Sequence, residues 1–219
     1  MPPRALEPAG VALVDKPAGP SSFAIVAQIR RMTGAKTGHA GTLDPFATGL
    51  LLILSGRATK LAPALVGLDK RYLTTIDLTA TTTTGDPEGD VVESHPVPTD
   101  LALDRLRGEI ELPVPAASAV KIEGERAYAL HRRGVKVEMP MRRSTVHALD
   151  LVARDETTVT LALHVSSGTY IRSVAQALGG HCRELRRTAV GPFAIEDSVV
   201  PDAFTPERLL SEADVLGRL

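Results

Sequence analysis

The chain has 219 residues, is 43% hydrophobic, and sets 25 Lys and Arg against 26 Asp and Glu for a formal net charge of -1. That composition describes a globular protein able to bury a sizeable core, as one large domain or as one domain with a small appendage. The single cysteine, Cys182, excludes an intrachain disulfide and a four-cysteine zinc site and leaves the cytosol as the expected compartment. In chain order, MPPRALEPAG lacks an export-type apolar core, and the longest apolar run, Leu50 to Leu54, is too short to cross a bilayer, so no targeting or membrane segment is expected. Val11 to Val14 reads as a short buried strand closed by the turn Pro17-Ala18-Gly19-Pro20. Ser21 or Ser22 can then cap a helix with Ile25, Val26, Ile29 and Met32 on one face and Gly34 at its end. Gly38 to Gly49 shows neither helical nor strand period and feeds the apolar run as a loop.

Further along, Tyr72, Thr74, Ile76 and Leu78 alternate with Leu73, Thr75 and Asp77, and Val159, Leu161, Leu163 and Val165 alternate likewise, predicting two strands far apart in sequence. Asp100 to Arg107 and Tyr170 to Leu178 read as helices, the second stopped by Gly179-Gly180. The mixture predicts an α+β fold on a mixed sheet.

Charge is segregated along the chain. Residues 121 to 143 hold seven basic side chains (Lys121, Arg126, Arg132, Arg133, Lys136, Arg142 and Arg143) against three acidic ones, a local balance of +4, whereas residues 77 to 111 stand at -7. A near-neutral protein can thereby still present one positive face to nucleic acid. From charge alone, solvated helix faces account for it equally well.

The loop GHAGTLDPFATG, residues 38 to 49, places His39 and Asp44 among glycines that permit close approach of a ligand to the backbone. By itself it reads first as a tight connection in which Asp44 caps the turn at Pro45. A phosphate loop is excluded because Gly38 is followed by His39 and not by Lys and Ser or Thr. The six histidines show no metal-ligand spacing, and no GxSxG elbow is present.

Six segments then match one family in order and spacing: DKPAGPSS (Asp15 to Ser22), GHAGTLDPFATG, KRY (Lys70 to Tyr72), SAVKIEGERAY (Ser118 to Tyr128), SSGTYIRS (Ser166 to Ser173) and LRRTAVGPF (Leu185 to Phe193). From about Val11 to Phe193 the chain resembles the TruB family of tRNA pseudouridine synthases. The resemblance implies the pseudouridine synthase fold, with a mixed, largely antiparallel sheet flanked by helices and loops. It implies conversion of uridine 55 in the tRNA T arm to pseudouridine, with Asp44 as nucleophile on a flipped-out base and neither cofactor nor metal required. Arg172 matches the arginine that would hold that carboxylate charged and aimed, and Tyr72 the aromatic that stacks on the uracil. Tyr170 and Leu185 match residues lining the pocket, and His39 the residue placed in the T loop beside the flipped base. Asp86 aligns with an aspartate supporting the pocket through Tyr170, while Lys16 and Lys121 suit fold or phosphate contacts. The basic stretch around 121–143 falls where the family grips RNA.

The chain departs from the family pattern at Ala117, where tyrosine is usual, at Thr79, where glycine is common, and at Arg142-Arg143-Ser144 in place of Arg-Pro-aliphatic. Residues 1–195 are expected to form the catalytic domain and 196–219 a short tail, without the PUA-type domain with which bacterial relatives generally continue. A cytoplasmic monomer acting on tRNA, with no obligate protein partner and no membrane, is the expectation.

Overall fold

A computed structural model describes residues 8–219. In chain order the elements are β1 (Gly10–Lys16), α1 (Ser22–Thr33), β2 (Thr37–His39), β3 (Thr48–Ser55), α2 (Ala62–Gly67), β4 (Lys70–Asp77), β5 (Ala80–Thr82), β6 (Val91–Ser94), β7 (Gly108–Pro113), β8 (Lys121–Ile122), β9 (Glu125–Arg126), α3 (Ala127–Arg132), β10 (Met141–Arg154), β11 (Thr158–Val165), α4 (Ile171–Ala177), β12 (His181–Val190), β13 (Phe193–Ala194) and α5 (Glu212–Leu216). The chain forms two compact units, one running to Tyr72 and including Arg186–Leu219, the other Leu73–Leu185, so it crosses between them inside β4 and again inside β12. The α+β class expected from the sequence is the class observed.

In the first unit β3 is central. It pairs antiparallel with β1, from Gly10 opposite Ser55 to Lys16 opposite Gly49, and parallel with β12 at Arg186 opposite Thr48 and Arg187 opposite Gly49. Leu50 to Leu54 are all at most 1% exposed, because a strand covered on both faces reads as a continuous apolar run and not as an alternating one. Leu13, Leu65, Phe193 and Val215 complete the core around it. Ser21 caps α1 by accepting the Ala24 N–H at 3.2 Å, and Gly34 closes it. Ile25, Val26 and Ile29 face inward, but Met32, expected beside them, is 40% exposed. At 100° per residue the buried arc runs from Ile25 through Ile29 and Thr33 to Val26, and Met32 falls just beyond its Ile25 edge. Residues 196–219 lie along β1: Leu210 bridges to Val11 and Val199 to Val14, and α5 starts with a capping box at Ser211 and Asp214.

In the second unit β11 lies between β4 and β10, and β10 pairs antiparallel with both β11 and β7. Val159, Leu161, Leu163 and Val165 are buried, as are Thr74, Ile76 and Leu78, so both predicted alternations point inward. The Asp155 carboxylate closes the β10–β11 turn on the amides of Thr157 and Thr158 at 2.8 and 2.7 Å, which holds its pKa down at about 2. The helix read at Tyr170 to Leu178 is α4, with Tyr170 at its N-cap. The helix read at Asp100 to Arg107 is absent: only a 3-10 turn, Leu103–Leu106, forms. There Asp100 takes the Ala102 N–H at 2.9 Å, Ala102 turns to φ 45°, and this local side-chain bond replaces a helical start. Among the described residues no helix is long and apolar enough to cross a membrane.

Candidate active site

The segment carrying Asp44 is shorter as a loop than its composition suggests. Gly38 and His39 belong to β2, with His39 opposite Ile53, and Thr48 and Gly49 already belong to β3. A strand three residues long is set by the partner it pairs with, so no local alternation announces it. The irregular part, residues 40–47, is tied down from two directions.

From one side comes the DKPAGPSS segment. Lys16, fully buried, donates through Nζ to the carbonyls of Pro17, Pro45 and Ala47 at 2.9, 3.1 and 2.7 Å. The Ser22 hydroxyl donates to the Leu43 carbonyl and accepts the Leu43 N–H, both at 2.8 Å, and the Gly19 amide reaches the Pro45 carbonyl at 2.9 Å. From the other side comes Arg187 on β12, 1% exposed. Its Nε donates to the Leu50 carbonyl at 2.7 Å, Nη2 to Gly41 at 3.0 Å and Nη1 to Thr42 at 3.4 Å. Gly49 makes this approach possible: it sits at φ +103°, and a Cβ there would stand 2.3 Å from the Arg187 carbonyl oxygen and 2.7 Å from its nitrogen. Asp44 itself is half-buried.

The remaining predicted residues of this unit are His39 and Tyr72, both half-buried. Nδ1 of His39 is buried with no hydrogen-bond partner. Burial first, then the Arg187 charge, hold the imidazole below its usual pKa, so it is neutral at physiological pH. Lys70, the first residue of KRY, is 5% exposed and donates to the carbonyls of Val66 and Leu68. Burial and the Arg187 charge lower its pKa to about 8, with Asp69 opposing them.

In the second unit Arg172 and Asp86 are together: Nη1 lies 3.2 Å from Oδ2, with both side chains buried. Arg172 also donates to the carbonyls of Thr84 at 2.8 Å and Ala117 at 2.9 Å, while Asp86 accepts the Glu88 amide at 3.0 Å and the Thr84 hydroxyl at 2.5 Å. Asp86 thus reaches Arg172 itself. Tyr170 is half-buried and lines a small cleft with Arg142, Ser144, Gly168 and Ser173, and Leu185 is buried at 7% exposure. The residues assigned to RNA contact, Lys121, Arg126, Arg132, Arg133, Lys136, Arg142 and Arg143, are all exposed. They run from the β8–β9 hairpin through α3 into β10. Among the described residues Arg126 donates to the Ala119 carbonyl at 2.7 Å, Arg133 pairs with Glu125 at 2.5 Å, Arg143 with Glu111 at 3.4 Å, and Arg132 lies over the Tyr128 ring.

Arg187, Ser22 and Lys70 lie in matched segments, and Ser22 is read as a possible helix cap, but the sequence alone assigns none of them a role in the site. A signal for Arg187 did exist, because it stands two residues after the apolar Leu185 on a strand and therefore shares its inward side. An arginine at an inward strand position must find acceptors, and a loop with free carbonyls supplies them.

The TruB family pseudouridylate synthase N-terminal domain model matches residues 30–171 of this chain. A tRNA pseudouridine synthase B from Mycobacterium sp. (strain KMS) is 44% identical, over 93% of this chain and 74% of that protein. One from Geobacillus kaustophilus (strain HTA426) is 41% identical, over 87% and 74%. Among solved structures, a Cbf5-Nop10-Gar1 complex aligns with a TM-score of 0.66 and 30% identity over 87% of this chain. An H/ACA RNP bound to a substrate RNA containing 2'-deoxyuridine aligns with a TM-score of 0.64 and 27% identity over 89%. The chain spans about half the length of those two matched chains.

Proposed function

The chain belongs to the TruB family of pseudouridylate synthases, and from that premise we propose that it isomerises uridine 55 in the T arm of tRNA, with Asp44 as the nucleophile. The observation that carries this reading is the bracing of the Asp44 loop by Lys16, Ser22 and Arg187. A nucleophile must be held in a near-attack geometry, and a loop whose carbonyls are fixed by buried donors supplies that rigidity before substrate arrives.

The reaction balances without an external group. The N1–C1' glycosidic bond of the uridine breaks, the uracil turns, C5 bonds to C1', the C5 proton is lost and N1 gains one. A carboxylate assists by attacking C1' of the ribose or C6 of the base. Arg172 is assigned to hold Asp44 ionised and aimed, since a guanidinium matches a carboxylate at two points. Tyr72 stacks on the base, and Tyr170 and Leu185 wall its pocket. His39, neutral and half-buried, suits the space the flipped base vacates, where an uncharged ring replaces lost stacking. The exposed basic residues between 121 and 143 contact phosphates. Residues 1–195 act as the catalytic domain of a cytoplasmic monomer, with 196–219 as an appended segment.

Mapping of pseudouridine in total tRNA with and without the protein tests the substrate: a new signal is expected at the T arm, and a signal elsewhere overturns it. Tritium release from C5-labelled tRNA tests the nucleophile. Asp44→Asn is expected to abolish release while T-arm binding stays within several-fold, and undiminished release removes the assignment.

A further inference from the structure

We infer that Arg187 is a positioning residue for the nucleophile, a buried fork that fixes both flanks of the Asp44 loop at once. The inference rests on Asp44 being the nucleophile. Its geometry is independent of that reading: three donors of one guanidinium are spent on carbonyls at Gly41, Thr42 and Leu50, residues lying on either side of position 44. The planar guanidinium directs donors on three nitrogens in fixed relative orientation, whereas the donors of an ammonium rotate about one nitrogen.

Among the described residues no carboxylate pairs with Arg187, although it is 1% exposed. A buried guanidinium without a counter-ion is costly to keep, since desolvation is offset here only by backbone carbonyls. What the arginine adds is a fixed loop and a fixed positive charge beneath it. Its field reaches two neighbours, adding to the larger effect of burial in lowering the pKa of both His39 and Lys70. His39 lies two residues before Gly41 on the chain, and its burial first, with the charge of the residue that holds the loop second, disfavours the charged imidazole.

The test compares wild type, Arg187→Lys, Arg187→Met and, as a control for lost stability, Leu65→Ala in the same core. Three quantities are read: kcat and KM for pseudouridine formation in tRNA, amide exchange at Ala40 and Ala47, and the NMR titration of the His39 imidazole. Arg187→Met is expected to lower kcat by about 100-fold with KM within about threefold, the scale of a misplacement of about 1 Å at a reacting group. It should also speed exchange at both amides and move the His39 titration upward. Arg187→Lys should keep the His39 titration low and recover only part of kcat. Should Arg187→Met fail to fold, the lysine variant alone decides, through kcat lowered at an unshifted His39 titration. A kcat loss no larger than that of Leu65→Ala, with exchange and the His39 titration unchanged, overturns the proposal. Wild type without activity on tRNA would remove the function reading, while amide exchange and the His39 titration would still decide whether Arg187 holds the loop.

Discussion

Arg172 Nη1 lies 3.2 Å from Asp86 Oδ2, and neither side chain is more than 6% exposed. The two carry opposite charges out of water together, so removing either leaves the other less compensated. Asp86→Ala takes from the buried guanidinium the carboxylate 3.2 Å away while its bonds to the carbonyls of Thr84 and Ala117 remain, and is expected to destabilise the protein by about 3 kcal/mol. Asp86→Asn retains an acceptor for the Glu88 amide and should cost less. Urea unfolding followed by circular dichroism measures both, and equal midpoints for wild type and Asp86→Ala would mean the pair contributes nothing.

Gly49 separates two kinds of glycine in the same motif. A Cβ at Gly49 meets backbone of Arg187 at 2.3 and 2.7 Å on a residue at φ +103°, so Gly49→Ala must both strain its own backbone and push β12 from β3. A loss of about 3 kcal/mol or more is expected from these combined effects. Gly38→Ala is the control, because a Cβ there meets nothing within 4 Å and the glycine is not at positive φ; its midpoint should change by less than about 0.5 kcal/mol.

Lys70 makes a pH prediction whose sign runs opposite to that of a salt-bridged lysine. Its folded pKa is about 8 against 10.5 unperturbed. Below pH 8 both folded and unfolded states carry the proton, and the cost of burying the charge is fully present. Between pH 8 and 10.5 the unfolded chain still binds a proton that the native state has released, so raising the pH favours the native state. Lys70→Met removes this gain. Unfolding midpoints for both proteins at pH 7.5, 9 and 10.5 should show wild type gaining on the variant as pH rises, and a constant difference would place the pKa elsewhere.

What could be read from the sequence divides by the range of the interaction responsible. The short strand at Val11 to Val14, a serine cap at Ser21 or Ser22 and the Gly34 end of α1, α4 before Gly179, and the alternation in β11 all rest on neighbours in sequence, and all are present, the cap at Ser21. Asp100 to Arg107 failed because a side-chain turn at Asp100 outcompetes helix propensity over so short a span. The Asp44 loop was ambiguous for a different reason. Read locally, Asp44 caps a turn more readily than it attacks a ribose. The bonds that distinguish the loop come from Ser22, Lys16 and Arg187, separated in sequence from their acceptors by 21, 31 and 146 residues. No composition or period reports contacts at that distance, and only the ordered match of distant motifs hinted at them.

The exposed basic segment carries the last prediction. Of its seven cations, Arg126, Arg133 and Arg143 already have partners within the protein, and Arg132 lies 5.9 Å from the Tyr128 ring centroid. Arg142 stands over Gly168, beside Tyr170, where a Cβ on Gly168 would strike its guanidinium. If the segment binds tRNA phosphates, each cation that makes a contact releases counterions, and neutralising it lowers the slope of log K against log salt by about one. Lys136→Ala and Arg142→Ala should each show that drop. Arg133→Ala should show less, because its Nη2 is already turned to the Glu125 carboxylate. Gly168→Ala, which retains every charge but displaces Arg142, should lower the slope as Arg142→Ala does. Filter-binding titrations at several salt concentrations measure all four, and slopes unchanged by Lys136→Ala and Arg142→Ala together would take the segment out of the RNA footprint.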